Sequence, residues 1–151
     1  MSLLALDLGT NMGFALQSNG TILSGAVNFK PGKFDGGGIR FLKFRKWLDE
    51  IHASDQITEV VYEAVRRHIG TDAAHIYGAL MGVLQMWCEE HNVPYSGESV
   101  QAIKIFATGK GNAGKEQVIA AVEKKWGFKP KSHDEADALA LLHLRLYEVL
   151  N

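Results

Sequence analysis

LLALDLGTNMGFALQSNGTILSGAVNF, residues 3–29, reads as three strands in immediate succession. Leu3–Leu8 is an apolar run that stops at Gly9, and Gly13–Gln17 takes it up again. Asn19-Gly20 is the two-residue turn of a β-hairpin, and Thr21–Phe29 alternates loosely as a third strand. Connections this short join antiparallel neighbours. Lys30–Gly38, rich in glycine and holding Pro31, is a loop. Beyond it the period changes. Ile39, Leu42, Phe44, Trp47, Leu48 and Ile51 recur at helical spacing, and Glu59–Val65 is a β-branched strand. Thr71–His91 is a long helix, Val93–Ser96 a short strand, and Val100–Ala107 a helix. Gly109–Gly114 is a glycine-rich loop, followed by a helix over Lys115–Trp126. Ser132 and Glu135 form a capping box for a last helix whose apolar stripe is Leu139, Leu142, Leu146 and Val149. The order βββ-α-β-α-β-α-α-α is expected to give an α/β fold: one mixed five-stranded sheet with helices on both faces, in a single domain over 1–151.

The composition is that of an ordinary globular chain, with 46% hydrophobic and 22% charged residues in 151. Disordered, collagen-like and disulfide-rich classes are excluded; Cys88 is the one cysteine. No apolar run approaches the roughly 20 residues of a membrane span. MSLLALDLGT has no basic segment and meets Asp7 too early for a signal peptide, so a cytoplasmic domain with no membrane partner is expected. The net charge of −1 hides a strong segregation. Lys30–Lys46 holds six basic residues and one acid, and Ser99–Lys131 holds seven lysines and two glutamates. The rest of the chain is strongly acidic, a pattern that sets a basic surface beside an acidic pocket.

Four acids stand in telling contexts. Asp7 ends an apolar strand and Glu63 lies within another, VVYEAV. Asp134 and Asp137 open the last helix three residues apart, on one face. A carboxylate in an apolar strand is costly unless paired, protonated or bound to a cation. Two such strand acids and an i,i+3 pair can converge into an all-oxygen site for a hard cation, Mg²⁺ or Mn²⁺. Each also has a plainer use. Asp7 can cap the turn at Gly9–Thr10, Glu63 can pair with Arg66 or Arg67, and Asp134 and Asp137 can favour the positive helix N-terminus.

Gly109 to Lys115 fits G-x-x-x-x-G-K, the first part of a phosphate-binding loop, but Glu116 follows where Ser or Thr would hold Mg²⁺. A carboxylate there repels phosphate, so no nucleotide cofactor is expected. A basic loop touching a phosphodiester backbone fits better.

Taken together, these residues resemble the RuvC-type Holliday junction resolvases, which have an RNase H-like fold. LDLGTNMGFAL resembles the family's first motif, with Asp7 as its acid; Glu63 in VVYEAV resembles its strand glutamate; IYGALMGVL, 76–84, resembles the helix that follows. VQAIKIFATGKGNAGKEQV, 100–118, resembles its basic loop at Lys104, Gly109, Gly111, Lys115, Gln117 and Val118. Asp134 to Ala140 matches the terminal D-x-x-D-A-L-A letter for letter. Bacterial members tend to carry an aromatic just after the strand glutamate, where this chain has Ala64-Val65-Arg66-Arg67-His68. His133 sits one residue before Asp134 and reads as a surface side chain. The low net charge and short C-terminus resemble phage-encoded members.

The resemblance implies a homodimeric, metal-dependent crossover junction endodeoxyribonuclease that nicks four-way DNA junctions in symmetric pairs, leaving 5′-phosphate and 3′-hydroxyl ends. It implies that Asp7, Glu63, Asp134 and Asp137 hold two Mg²⁺ ions per site, with Mn²⁺ as a substitute. Lys115 would act with them in catalysis, and Lys104, Lys110, Arg66 and Arg67 would bind DNA. In the long helix, Ala73, Ala74, Tyr77, Gly78, Met81, Met86 and Trp87 spread over more than one face, which suits a subunit contact. The other readings are a YqgF-like nuclease on other nucleic acids, a junction-binding module without catalysis, and an ATP-using domain of the actin and sugar-kinase type. The last needs two similar lobes, and 151 residues hold one.

Overall fold

The hairpin at the N-terminus starts the sheet. In the computed structural model, which describes residues 1–151, β1 (Ser2–Asp7), β2 (Asn11–Ser18) and β3 (Thr21–Asn28) pair antiparallel. Asn19 and Gly20 both take positive φ, 52° and 77°, as the two-residue turn requires. α1 (Ile39–Asp55) crosses over to β4 (Glu59–Ala64), which lies parallel to β1. α2 (Thr71–Glu90) crosses again to β5 (Tyr95–Ser99), parallel to β4. The order across the sheet is β3-β2-β1-β4-β5. α3 (Val100–Thr108), α4 (Lys115–Trp126) and α5 (His133–Leu150) complete the chain. The mixed five-stranded sheet with helices on both faces is the expected class.

Each face of the sheet carries its own core. Leu4, Leu6, Met12, Leu16 and Val60 pack with Phe44 and Leu48 of α1 and Leu80, Leu84 and Trp87 of α2. Leu3, Ala5, Ala15 and Val61 pack with Ile103 of α3, Val118 and Val122 of α4, and the inner side of α5. α5 is buried on more than one side: Ala136, Ala138, Leu139, Ala140, Leu141 and Leu142 are fully enclosed. Burying one such leucine contributes about 1.5–3 kcal/mol. No helix is long and apolar enough to cross a membrane.

Three local expectations change. β5 is Tyr95–Ser99 rather than 93–96, because the Val93 N–H closes the end of α2 on the Cys88 carbonyl and is lost to the ladder. Ser132 Oγ does accept from the Glu135 N–H, but Glu135 reaches past the cap to the Lys131 N–H, so the box is open. Trp87 is turned into the core and Val149 is exposed, so neither belongs to the surface or stripe its spacing suggests.

Candidate active site

Period-two alternation decides where the strand acids point. Leu3 and Ala5 of β1 face α5, and Asp7 continues that series. Val61 of β4 faces the same side, and Glu63 follows it. β1 and β4 are parallel, with Leu6 opposite Tyr62, so Asp7 and Glu63 stand side by side one step further on. Asp137 meets them from the second turn of α5. One carboxylate oxygen from each of Asp7, Glu63 and Asp137 lies within 4.8 Å of the others. Asp134 lies one turn earlier, close enough to Asp7 for a side-chain hydrogen bond but outside that triplet. His133 Nε2 is 3.3 Å from Asp134 Oδ1.

Without a counter-ion this cluster resists ionisation. Burial, then the charges of Glu63, Asp137 and Asp134, push Asp7 up to about 9. Burial, then Glu63, raises Asp137 to about 7, while His133 and Lys104 pull it back. Burial also raises Glu63 against the pull of Lys104. Glu63 forms no ion pair with Arg66 or Arg67. Three half-buried carboxylates aimed at one point, with one lysine against them, make an oxygen donor set that fits a hard divalent cation.

Three groups to which the sequence reading gave no part in the site hold the acids in place. Gly13 is paired with Asp7, and a Cβ on it would lie 1.8 Å from the Asp134 carbonyl oxygen. The missing side chain is what lets α5 begin directly on β2. A glycine inside a strand is the signal for such a close approach. Tyr77 of α2 donates to the Glu63 carbonyl at 2.7 Å and accepts from the Val65 N–H, which fixes the end of β4 around Glu63. Glu135, nearly buried, accepts from Ser24 Oγ at 2.6 Å and from the Lys131 N–H at 2.8 Å, tying the start of α5 to β3. The partners of Tyr77 and of Glu135 on β3 are not visible in sequence, since those contacts span elements.

Of the basic residues, one acts directly on the acids. Lys104 of α3 acts on both Glu63 and Asp137. Lys110 is exposed in the loop before α4, and Lys115 is exposed at the first position of α4; neither is among the charges that shift the acids. The loop is held by the Thr108 hydroxyl, which accepts from the Lys110 N–H. Arg66 and Arg67 are exposed beyond β4, where they line a groove of about 660 Å³ with Ser99 and Gln101.

Residues 23–143 match the family described as Crossover junction endodeoxyribonuclease RuvC. A protein of that name from Nitratiruptor sp. is 28% identical over 149 residues, 93% of this chain and 92% of its own length. One from Anaeromyxobacter dehalogenans is 31% identical over 94 residues, 62% of this chain. This chain spans about half the length of the Anaeromyxobacter relative. Among solved structures, Thermus thermophilus RuvC in complex with Holliday junction substrate superposes with a TM-score of 0.82 at 20% identity, over 99% of this chain and 94% of that one. The yeast mitochondrial Holliday junction resolvase Ydc2 gives 0.63 at 13% identity, over 98% and 82%. These two likenesses establish the fold.

Proposed function

This chain belongs to the RuvC family of crossover junction endodeoxyribonucleases, and on that premise we propose that it cuts four-way DNA junctions by metal-dependent hydrolysis in a single nuclease domain over 1–151. The observation that carries the reading is the convergence of Asp7, Glu63 and Asp137 within 4.8 Å at one end of the sheet. Two Mg²⁺ or Mn²⁺ ions, held by these three with Asp134, would supply an activated water and stabilise the leaving 3′-oxygen. The carboxylates themselves accept no substrate anion while empty of cations, so nucleic acid is drawn in by the basic residues around them. In this reading Lys104, which acts on Glu63 and Asp137, offsets negative charge at the cut phosphate, and Lys115 joins it from the start of α4. Lys110, Arg66 and Arg67 contact flanking phosphates. Water adds to phosphorus, the bond to the 3′-oxygen breaks, and that oxygen takes a proton. The products are a 5′-phosphate and a 3′-hydroxyl.

The protein acts as a homodimer, so that two sites nick two strands of like polarity. α2 supports this reading: Ala73, Ala74, Gly78 and Met86 are exposed along a helix whose opposite side is core. Nothing of the chain comes within 4 Å of a Cβ placed on Gly78 or Gly82, so a second backbone can come close there. A cleavage assay comparing a four-way junction with a linear duplex of the same sequence, in Mg²⁺ and in EDTA, tests the function. Paired nicks on the junction alone, and only with Mg²⁺, are expected. Equal cutting of both substrates would favour a nuclease of broader range.

A further inference from the structure

The loop Lys30–Gly38 leaves β3 at the end of the sheet where the acids lie. Asp7 is opposite Gly13 and Gly13 is opposite Ala26, so two strand spacings, about 10 Å, separate Asp7 from Ala26. The Phe29 N–H donates to the Thr10 carbonyl at 2.8 Å and pins the loop's start to the turn that follows Asp7. The loop is folded on itself. The Gly32 N–H donates to Asp35 Oδ2 at 2.8 Å, and the Asp35 N–H returns to the Gly32 carbonyl at 3.1 Å. Lys43 Nζ donates to the Lys30 carbonyl at 2.9 Å and fastens the loop to α1.

This small turn holds Phe34 at its tip, 94% exposed. A phenyl ring in water contributes nothing to the core, and most buried aromatics here have ring or apolar partners. A cation, Lys33 Nζ, lies 5.6 Å from the centroid of the Phe34 ring. Lys30, Lys33, Lys43 and Lys46 are exposed, and no carboxylate lies within ion-pair distance of any of them. The one acid of the loop, Asp35, is engaged by the Gly32 N–H. Gly36, Gly37 and Gly38 have open space where side chains would stand. An aromatic face among unpaired lysines, on a loop with bare backbone, matches the chemistry that grips a nucleic-acid strand: cations for phosphates and a ring for a base.

We propose that Lys30–Gly38, with Lys43 and Lys46 of α1, is a second DNA-binding element, in which Phe34 stacks on an unpaired base beside the cut strand. The proposal rests on the nuclease reading and places a strand-gripping surface on the β3 side of the acids, opposite Arg66 and Arg67 beyond β4.

The test uses a four-way junction carrying 2-aminopurine at each position around the crossover in turn, in Ca²⁺. Wild-type cutting of the same junction in Mg²⁺ judges the nuclease reading separately. Phe34→Ala is expected to weaken junction binding by roughly tenfold and to abolish one 2-aminopurine signal that wild type changes, with melting temperature unaltered. Phe34→Trp should restore both. Lys33→Ala with Lys46→Ala should flatten the slope of log affinity against log salt by about two units. Unchanged affinity, signal and slope in these variants, with wild type binding the junction, would overturn the proposal. So would a loss of dimer in sedimentation of Phe34→Ala, which would assign the ring to a contact between protein chains.

Discussion

Asp7 is held where its charge is least welcome, and that sets what its removal does. Asp7→Asn keeps the shape, removes one repelling charge and removes a cation ligand. Its nicking rate in Mg²⁺ should fall by at least about 100-fold, while junction affinity in Ca²⁺ persists. Asp137→Asn should behave alike, and wild-type rates in both would exclude the acids from catalysis. Gly13 makes the opposite kind of prediction, because it touches no substrate. Gly13→Ala drives a methyl into the Asp134 carbonyl, so α5 must lift from β2. A cost of about 1–3 kcal/mol is expected from chemical denaturation, and nicking should fall with it as Asp137 moves away from Asp7. Glu98 offers a pH test away from the site. Burial and its hydrogen bond with Glu148 raise it to about 7, against the opposing pull of Arg145. A carboxyl raised on folding contributes stability that is present below its unfolded value of 4.5 and lost as pH passes 7. Glu98→Gln should therefore raise the melting temperature at pH 8 and leave it unchanged at pH 4.

Elements show why part of the site is legible in sequence and part is not. Asp7 and Glu63 announce themselves because a charge in an apolar strand needs a reason, and the strand's period of two then says which face each takes. Asp134 and Asp137 announce a shared face by their spacing. Their meeting with the strand acids depends on α5 lying on the sheet, and that depends on Gly13 and Ser24, while Tyr77 fixes the end of β4 around Glu63; the partners of Gly13 and Ser24 are far along the chain. β5 begins later than its composition suggests for a local reason, since the end of α2 claims the Val93 N–H. The loop before α4 is a further case. Its glycines and lysines are plain in sequence, but Lys104, inside α3, is the cation that acts on the acids. Lys104→Ala should therefore slow single-turnover nicking more than Lys115→Ala, and neither variant should bind ATP. Equal losses would place both ammonium groups at the cut phosphate.

At the scale of the whole molecule, the acidic centre makes the fold depend on its cation. In EDTA, Asp7 and Asp137 contribute stability that is present below their unfolded value of 3.8 and lost as pH rises through about 7 and then about 9. The melting temperature of Asp7→Asn should exceed that of wild type by a margin that grows from pH 5 to pH 9. Mg²⁺ at a hundred times its dissociation constant should stabilise wild type by about 2.7 kcal/mol and Asp7→Asn far less. Equal gains in both would place the ion elsewhere. The centre also joins the first strand to the last helix, with Asp7 in β1 and Asp137 in α5. A ribosome adds roughly 5–20 residues each second, so the hairpin is out and paired well before α5 leaves the exit tunnel. Until it does, Asp7 and Glu63 have no third ligand. A chain stalled or clipped ahead of α5 is a sheet with half a site, and a copy truncated before His133 is expected to show no nicking of a junction in Mg²⁺.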